Sequence, residues 1–235
     1  ATAAETLARQ EQVARAQQRQ FLSMLSHELR TPLATIQTAA GALQRLSATD
    51  APEHLARHLR IQRSIDRIGR LLNQLLTSDR VDEGMVSVQR CDTDVAALCR
   101  ELIDGMEHGE RVALGGEATL HASVDPALLR VAVQNLLDNA LKYSPDGSRV
   151  DLELSTSDDM LTLSVRDRGP GIAPALRPNL FGRYVRDAAH AHIPGSGLGL
   201  YIVRCIALAH GGRVEVSDAA GGGSRFDLHL WRTPA

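Results

Sequence analysis

An apolar seam with alternating steps of three and four residues runs along the first part of the chain. Its members are Leu22, Leu25, Leu29, Pro32, Ile36, Ala39, Leu43 and Leu46. A repeat of this kind is typical of a helix that packs lengthwise against another helix. It predicts one long helix that ends near Leu46 and bends near Pro32, because proline removes a backbone hydrogen bond from a helix interior.

A second helix is predicted after a turn at residues 47–52. The same spacing recurs in Ile61, Ile65, Ile68, Leu72 and Leu75. Two helices with one seam each form a hairpin whose apolar stripe is poorly covered by a single pair. Two hairpins in a four-helix bundle bury that stripe, so the pattern favours an all-α dimerisation domain and a homodimer.

The amino-acid composition, the net charge and the cysteines limit the kinds of protein that this chain can be. Apolar residues make up 43% of the chain and aromatic residues only 3%, so the core must be mainly aliphatic. A formal net charge of −2 argues against a strong attraction to nucleic acid or anionic lipid. Cys91, Cys99 and Cys205 match neither a zinc pattern nor a disulfide framework, which favours a reducing compartment. Without a membrane-spanning run or a signal peptide, we expect a soluble fragment of a longer protein.

The pattern changes after a polar linker at Ser78–Gly84. Short runs typical of strands occur at Val86–Gln89, Arg111–Leu114, Thr119–Ser123, Arg149–Ser155, Leu161–Arg166, Arg213–Ser217 and Arg225–Trp231. Helical patterns occur between them, at Asp94–Met106, Pro126–Tyr143 and Gly197–His210. This order predicts an α/β sandwich with helices on one face of a sheet.

These patterns divide the chain into three parts. Residues 1–20 form a polar helical extension, read equally well as a solvated helix or as the end of a helix that carries a signal from an upstream domain. Residues 21–80 form the dimerisation hairpin, and residues 81–235 form the α/β domain.

His27 lies on the face of the first helix opposite the seam. Glu28 is its neighbour, and Thr31 lies one turn further along the same face. A solitary exposed histidine is usually an ordinary surface residue. The segment His27–Leu33, however, resembles the phosphoacceptor box of sensor histidine kinases, the membrane-signalling half of bacterial two-component systems.

Four separated segments of the α/β region have the composition of a nucleotide site. Asn135–Tyr143 places two amides and a lysine on one helix face, and amide oxygens suit magnesium. Asp167–Gly171 offers a carboxylate for an exocyclic amine beside flexible glycines. Leu180–Arg186 carries arginines that could close over phosphates. Gly195–Leu200 is a glycine-rich helix start suited to phosphate. Each segment alone could be an ordinary helix or turn.

In this order and spacing, the four segments resemble the N, first-glycine, F and second-glycine boxes of the GHKL, or Bergerat, ATP-binding fold. The resemblance implies ATP and Mg²⁺ as cofactors, with Asn139 as the metal ligand. It assigns nucleotide-binding roles to Asn135, Asn139, Lys142, Tyr143, Asp167, Gly169, Gly171, Phe181, Arg183, Arg186, Gly195, Gly197, Leu198 and Gly199. Gly182 and Tyr184 depart from the usual F box.

The resemblance implies a protein histidine kinase in which His27, Glu28 and Thr31 are catalytic. His27 would be phosphorylated and would pass the phosphoryl group to a receiver-domain aspartate of a response regulator, and Thr31 would support phosphatase activity on that regulator. Hydrolysing GHKL ATPases carry a glutamate where Asn135 stands, and an amide cannot accept a proton from water. A hydrolysing ATPase and a degenerate kinase that acts as a dimeric binding module remain the alternatives. The resemblance also implies the cytoplasmic part of a membrane-anchored bacterial protein whose upstream sensor lies outside this chain.

Overall fold

The structure is a computed structural model of the chain. It describes residues 32–40, four positions of a second helical segment (61, 64, 65 and 68), and residues 88–157, 159–187, 190, 193 and 196–232. The chain divides into two compact units, the larger of which comprises residues 77–193 and 197–235.

The described residues of the smaller unit agree with the predicted helices. Residues 32–40 are helical, as are positions 61, 64, 65 and 68. Ala39 of the predicted seam is 5% exposed, whereas Ile65 is 51% exposed in the single chain. The rest of the predicted hairpin lies outside the described residues.

The larger unit contains seven strands and three α-helices within its described part. The strands are β1 (Cys91–Asp94), β2 (Val112–Gly116), β3 (His121–Val124), β4 (Val150–Ser157), β5 (Met160–Arg166), β6 (Arg213–Asp218) and β7 (Ser224–Trp231). The helices are α1 (Val95–Asp104), α2 (Pro126–Tyr143) and α3 (Gly199–Ala209), with short 3₁₀ turns at Gly109–Arg111 and Arg177–Asn179.

Two sheets organise these elements. Five strands form a mixed sheet in the order β2-β4-β5-β7-β6, in which only the β2–β4 pair is parallel. β1 and β3 form a separate antiparallel pair. The β6–β7 connection contains Gly221, Gly222 and Gly223, all at positive φ, a conformation that favours glycine.

The five-stranded sheet has one apolar and one polar face. Along β7, Phe226, Leu228 and Leu230 are buried, whereas the residues that alternate with them are exposed (Arg225 and Trp231) or half-buried (Asp227 and His229). The helices supply the cover, because α2 contacts β4 and β5, and α3 contacts β6 and β7. The polar face is cross-linked between strands, for example where Ser164 donates to Asp227. This is the predicted two-layer α/β sandwich.

The first strand differs from the sequence prediction, which placed it at Val86–Gln89. Val88 and Gln89 are not in a strand, and β1 begins at Cys91. Gln89 is not in a strand because its backbone N–H donates a hydrogen bond to the side chain of Asp125, at Oδ2 and 2.9 Å, and not to the backbone of a neighbouring strand.

Asp125 joins the chain near Gln89 to the start of α2. Its Oδ1 accepts the N–H groups of Ala127 (3.0 Å) and Leu128 (3.1 Å), which caps the helix. Its own N–H donates to Nε2 of His210 at 3.1 Å. Asp125 is therefore hydrogen-bonded to Gln89, to the first turn of α2 and to His210 at the end of α3.

His210 is fully buried at this junction, with 0% exposure. Its Nδ1 bonds the carbonyl of Ile206 at 2.8 Å, and its own carbonyl accepts from the Arg90 guanidinium at 2.8 Å. Since Nε2 accepts a hydrogen bond, the ring is neutral with its proton on Nδ1. Burial lowers the pKa of His210, and the nearby Arg90 charge lowers it further.

No helix in the described ranges is both long enough and apolar enough to cross a membrane.

Candidate functional site

Helix α2 presents the first of the four predicted segments. Asp125 and Pro126 at its start explain why the helix begins there. Asn135 is 7% exposed, and its Nδ2 donates to the carbonyl of Val131 at 2.8 Å. This bond fixes the amide so that Oδ1 is the atom left to face a neighbour. Asn139 and Lys142 follow on the same helix and are half-buried.

The start of α3 lies against that amide. A Cβ atom on Gly199, the first residue of α3, would stand 2.8 Å from Oδ1 of Asn135. Only a glycine fits this approach without moving the amide. Leu198 has no side-chain oxygen with which to cap α3, so phosphate oxygens suit the first backbone N–H groups of this helix. The first and fourth segments are thus in contact.

Asp167 stands at the end of β5 and is 4% exposed. Its Oδ1 accepts two backbone N–H groups, from Gly169 at 2.8 Å and from Ser224 at 3.0 Å. No residue in the described part of the chain donates to Oδ2, which therefore remains an acceptor for an exocyclic amine. The carboxylate is fixed in place before any ligand arrives, which favours selective recognition.

The second segment contacts the end of α2. A Cβ atom on Gly169 would stand 2.8 Å from the carbonyl oxygen of Tyr143. The N–H of Arg168 donates to Oγ of Ser144 at 3.1 Å. Gly171 has φ +78, a conformation that favours glycine. The Asp167 turn is therefore packed directly beside the residues at the end of α2.

The third segment contacts α3 and the sheet. The ring of Phe181 meets that of Phe226 edge-on at 6.5 Å. The guanidinium of Arg183 lies over the ring of Tyr201 at 4.9 Å. Phe181 thus anchors this segment to β7, and Arg183 anchors it to α3.

The third and fourth segments are also joined through the backbone. The N–H of Tyr184 donates to the carbonyl of Gly197 at 2.9 Å. Both residues have positive φ, 60° and 68°. A Cβ atom on Gly197 would stand 2.8 Å from the carbonyl carbon of Tyr184, so glycine is required there.

An aromatic and charged group surrounds the end of α2. Nζ of Lys142 lies 5.1 Å from the centroid of the Tyr143 ring. Burial raises the pKa of Tyr143, an effect that the charge of Arg186 opposes and that of Asp187 reinforces. The Arg186 guanidinium also donates to the carbonyl of Ile193 at 2.7 Å. The tyrosine is therefore an oriented, half-buried ring near several charges.

The structure brings together residues from all four segments predicted to form a nucleotide site. His27, Glu28, Thr31 and Gly195 lie outside the described residues. Sequence reasoning missed three neighbours of the site: Ser224, which orients Asp167, Tyr201, which supports Arg183, and His190, whose ring contacts Tyr143. Only His190 had a visible signal, as a histidine within a polar stretch.

Two protein-family descriptions match the chain. Residues 17–84 match "His Kinase A (phospho-acceptor) domain". Residues 124–234 match "Histidine kinase-, DNA gyrase B-, and HSP90-like ATPase". The second match contains all four segments of the site, and the first contains His27.

Curated relatives align with most of the chain. Sensor protein QseC of Escherichia coli K12 is 36% identical over 217 residues, covering 88% of this chain and 46% of that protein. The probable sensor histidine kinase TcrY of Mycobacterium tuberculosis is 36% identical over 211 residues, covering 86% and 44%. The chain thus spans less than half the length of these relatives.

Two solved structures are also similar to this chain. Full-length ShkA in complex with AMPPNP has a TM-score of 0.63 and 28% identity, covering 92% of this chain and 46% of that one. The mycobacterial sensor histidine kinase MprB has a TM-score of 0.55 and 33% identity, covering 62% of this chain and 100% of that one.

Proposed function

The chain belongs to the sensor histidine kinases, and we propose that it is the Mg²⁺-ATP-dependent autokinase core of a two-component system. In this proposal it phosphorylates His27 and passes the phosphoryl group to an aspartate of a response-regulator receiver domain. The phosphoacceptor match supports residues 21–80 as the phosphotransfer domain, and the ATPase match supports the catalytic domain within 81–235. Residues 1–20 would carry the signal from an upstream sensor.

The observation that carries the proposal is the convergence of the four segments around the end of α2 and the start of α3. Asp167 would accept a hydrogen bond from the adenine amino group on Oδ2, because its Oδ1 is occupied by two backbone donors. The glycine-rich start of α3 would bind phosphate oxygens beside Asn135. Lys142 would offset phosphate charge from the end of α2.

The residues present fit a magnesium ion. Asn139 is half-buried on α2, one turn beyond the fixed amide of Asn135, and an amide oxygen is a ligand that magnesium accepts while keeping several waters. Asn139 would therefore hold the ion together with nucleotide oxygens. When bound, the ion neutralises part of the charge on the transferring phosphoryl group.

The transfer step uses His27 and Glu28. A ring nitrogen of neutral His27 would attack the γ-phosphorus, forming an N–P bond as the bond to the β,γ-bridging oxygen breaks and ADP leaves. Glu28 would accept a hydrogen bond from the other ring nitrogen, which keeps the attacking nitrogen electron-rich. Asn135 favours this reaction over hydrolysis, because its amide cannot act as a base and its Nδ2 is bonded to Val131.

The partners follow from the phosphoacceptor domain. We assign the chain to a homodimer formed through residues 21–80, with a receiver domain as the acceptor and no nucleic acid. Thr31 would position water against the phosphorylated regulator. Because ATP and receiver domains are intracellular, the chain would be the cytoplasmic part of a longer, membrane-anchored protein.

Labelling with γ-³²P-ATP and Mg²⁺ tests the proposal. The parent chain should acquire a label that is lost in acid and survives alkali, as expected of a phosphoramidate. His27→Gln should acquire none while still binding nucleotide, whereas His58→Gln, a second histidine of the same domain, should label normally. Label that persists in His27→Gln would overturn the assignment.

A further inference from the structure

The ring of His190 meets the ring of Tyr143 edge-to-face, with a centroid separation of 6.0 Å and an interplanar angle of 90°. Such contacts are favourable because the positive edge of one ring faces the negative face of the other. His190 lies 47 residues beyond Tyr143 in the chain and in none of the four predicted segments. The contact is therefore a tertiary feature of this chain.

Two neighbours hold His190 in position. Its Nδ1 bonds Oδ2 of Asp187 at 3.0 Å, and its backbone N–H donates to the carbonyl of Asp187 at 3.1 Å. Its own carbonyl accepts the N–H of Ile193 at 3.0 Å. The side chains of His190 and Asp187 are 26% and 30% exposed. A ring fixed by a carboxylate on one nitrogen differs from a freely rotating surface histidine.

The contact lies at the nucleotide end of α2. The carbonyl of Tyr143 abuts Gly169, two residues beyond Asp167, and Lys142 lies over the Tyr143 ring. Asp187, the partner of His190, is close enough to influence the titration of the Tyr143 hydroxyl. The two aromatic rings thus lie at the end of α2 whose backbone contacts the turn that follows Asp167, the carboxylate that would read the adenine amine.

We propose that His190 is a nucleotide-contacting residue that forms, with Tyr143, an aromatic wall against the base and ribose of bound ATP or ADP. This rests on the proposed function, because it requires that the nucleotide occupy the site of Asp167. Asp187 is the positioning residue that orients the His190 ring. Loss of one aromatic contact should weaken nucleotide binding about three- to tenfold, mainly through faster release.

Fluorescent mant-ADP with Mg²⁺, titrated against the full chain and followed during stopped-flow release, tests this. His190→Ala should raise Kd and the release rate about three- to tenfold. His190→Phe, which keeps a ring, should stay within about twofold, and Asp187→Asn should fall between them. His121→Ala is the matched control, because His121 forms a similar pair with Asp92 at 3.2 Å in the β1–β3 sheet.

A double-mutant cycle tests whether the two rings act together on the nucleotide. In a Tyr143→Ala background, His190→Ala should have little further effect on Kd, whereas independent residues give additive effects. Unchanged or tighter binding in His190→Ala would overturn the assignment, since tighter binding means that the ring obstructs the site. If the parent chain binds no mant-ADP, the proposed function itself fails, and that result is distinct from a failure of His190 alone.

Discussion

The amide oxygen of Asn135 lies 2.8 Å from the position that a Cβ atom on Gly199 would occupy. This relationship joins residues 64 positions apart in the chain and places the start of α3 directly on the amide-bearing face of α2. The amide cannot move aside cheaply, because it is buried and bonded to Val131.

Gly199→Ala should therefore destabilise the catalytic domain by about 1–3 kcal/mol, the usual cost of overpacking, and should weaken nucleotide binding. Urea unfolding of the parent, Gly199→Ala, Asn135→Ala and the double variant measures the coupling. The cost of Gly199→Ala should be smaller in the Asn135→Ala background, because the obstructing atom is gone. Equal costs in both backgrounds would contradict this packing.

Asn139→Ala should abolish His27 labelling while changing the free energy of unfolding little, because the side chain is half-buried and outside the apolar core. Removal of magnesium with EDTA should have the same effect on the parent. Gln134→Ala, on the same helix, is the control and should label normally. Parental labelling by Asn139→Ala would refute its role as a metal ligand.

His210 should make the stability of the catalytic domain depend on pH. Its folded pKa is lowered by burial and by Arg90, with Asp125 opposing. Below about pH 6.5 the His210 ring is protonated in the unfolded chain but stays neutral in the folded chain, because its folded pKa is lower. The stabilising effect of the neutral ring is therefore complete above that pH and is lost as the pH falls toward the lowered folded pKa.

Urea unfolding of the parent and His210→Gln between pH 7.5 and pH 5 measures this dependence. A glutamine keeps a donor and an acceptor without titrating, so the loss of stability on acidification should be smaller in the variant. At neutral pH the variant should be about 1–3 kcal/mol less stable because its buried hydrogen bonds are imperfect. His108→Gln, at an exposed position, should retain the pH dependence of the parent. An unchanged slope in His210→Gln would exclude this ring as its source.

Ile65→Asp should convert the predicted homodimer into monomers. Ile65 is 51% exposed in the single chain, yet it belongs to the apolar seam, so a second copy would cover it. A buried unpaired charge costs about 3–5 kcal/mol. Light scattering of the whole chain should show the change in mass, and Gln37→Asp, at an exposed position outside the seam, should leave the dimer intact. A dimeric Ile65→Asp variant would count against the seam as the interface.

Thr31→Ala should separate two activities. The hydroxyl is not needed for attack on ATP, so labelling of His27 and transfer to the regulator should remain near normal. Dephosphorylation of the regulator should slow about tenfold or more, because positioning a water contributes strongly to rate. The measurement is loss of label from the phosphorylated regulator with ADP present. A parental dephosphorylation rate in Thr31→Ala would rule out the phosphatase role.

Local signals explain why much of the fold was predictable. The structure has the predicted helical span Pro126–Tyr143, and its start is locally encoded because Asp125 caps it and Pro126 opens it. The strand β1 was misplaced because Cys91–Asp94 has little strand propensity and depends on pairing with distant His121–Val124.

The site was predictable only as separate segments. Glycine-rich and amide-bearing segments are visible in the sequence, whereas the contacts between them are not. Ser224 orients Asp167 from 57 residues away in the chain, and His190 contacts Tyr143 from 47 residues away. These contacts are set by tertiary packing, so no periodic pattern in the sequence identifies which residues will meet.

The shared carboxylate of Asp125 has a mechanical consequence. One carboxylate oxygen accepts the backbone N–H of Gln89, and the other accepts a backbone N–H from the first turn of α2. With 18 residues, α2 is a stiff rod about 27 Å long, and Asn139 and Lys142 lie toward its far end. A tilt of only about 2° about the Asp125 end of α2 would move the other end by about 1 Å, because a helix rises about 1.5 Å per residue. A displacement of the chain at Gln89 would therefore be passed along α2 to Asn139 and Lys142, the residues proposed to hold the metal ion and the phosphates.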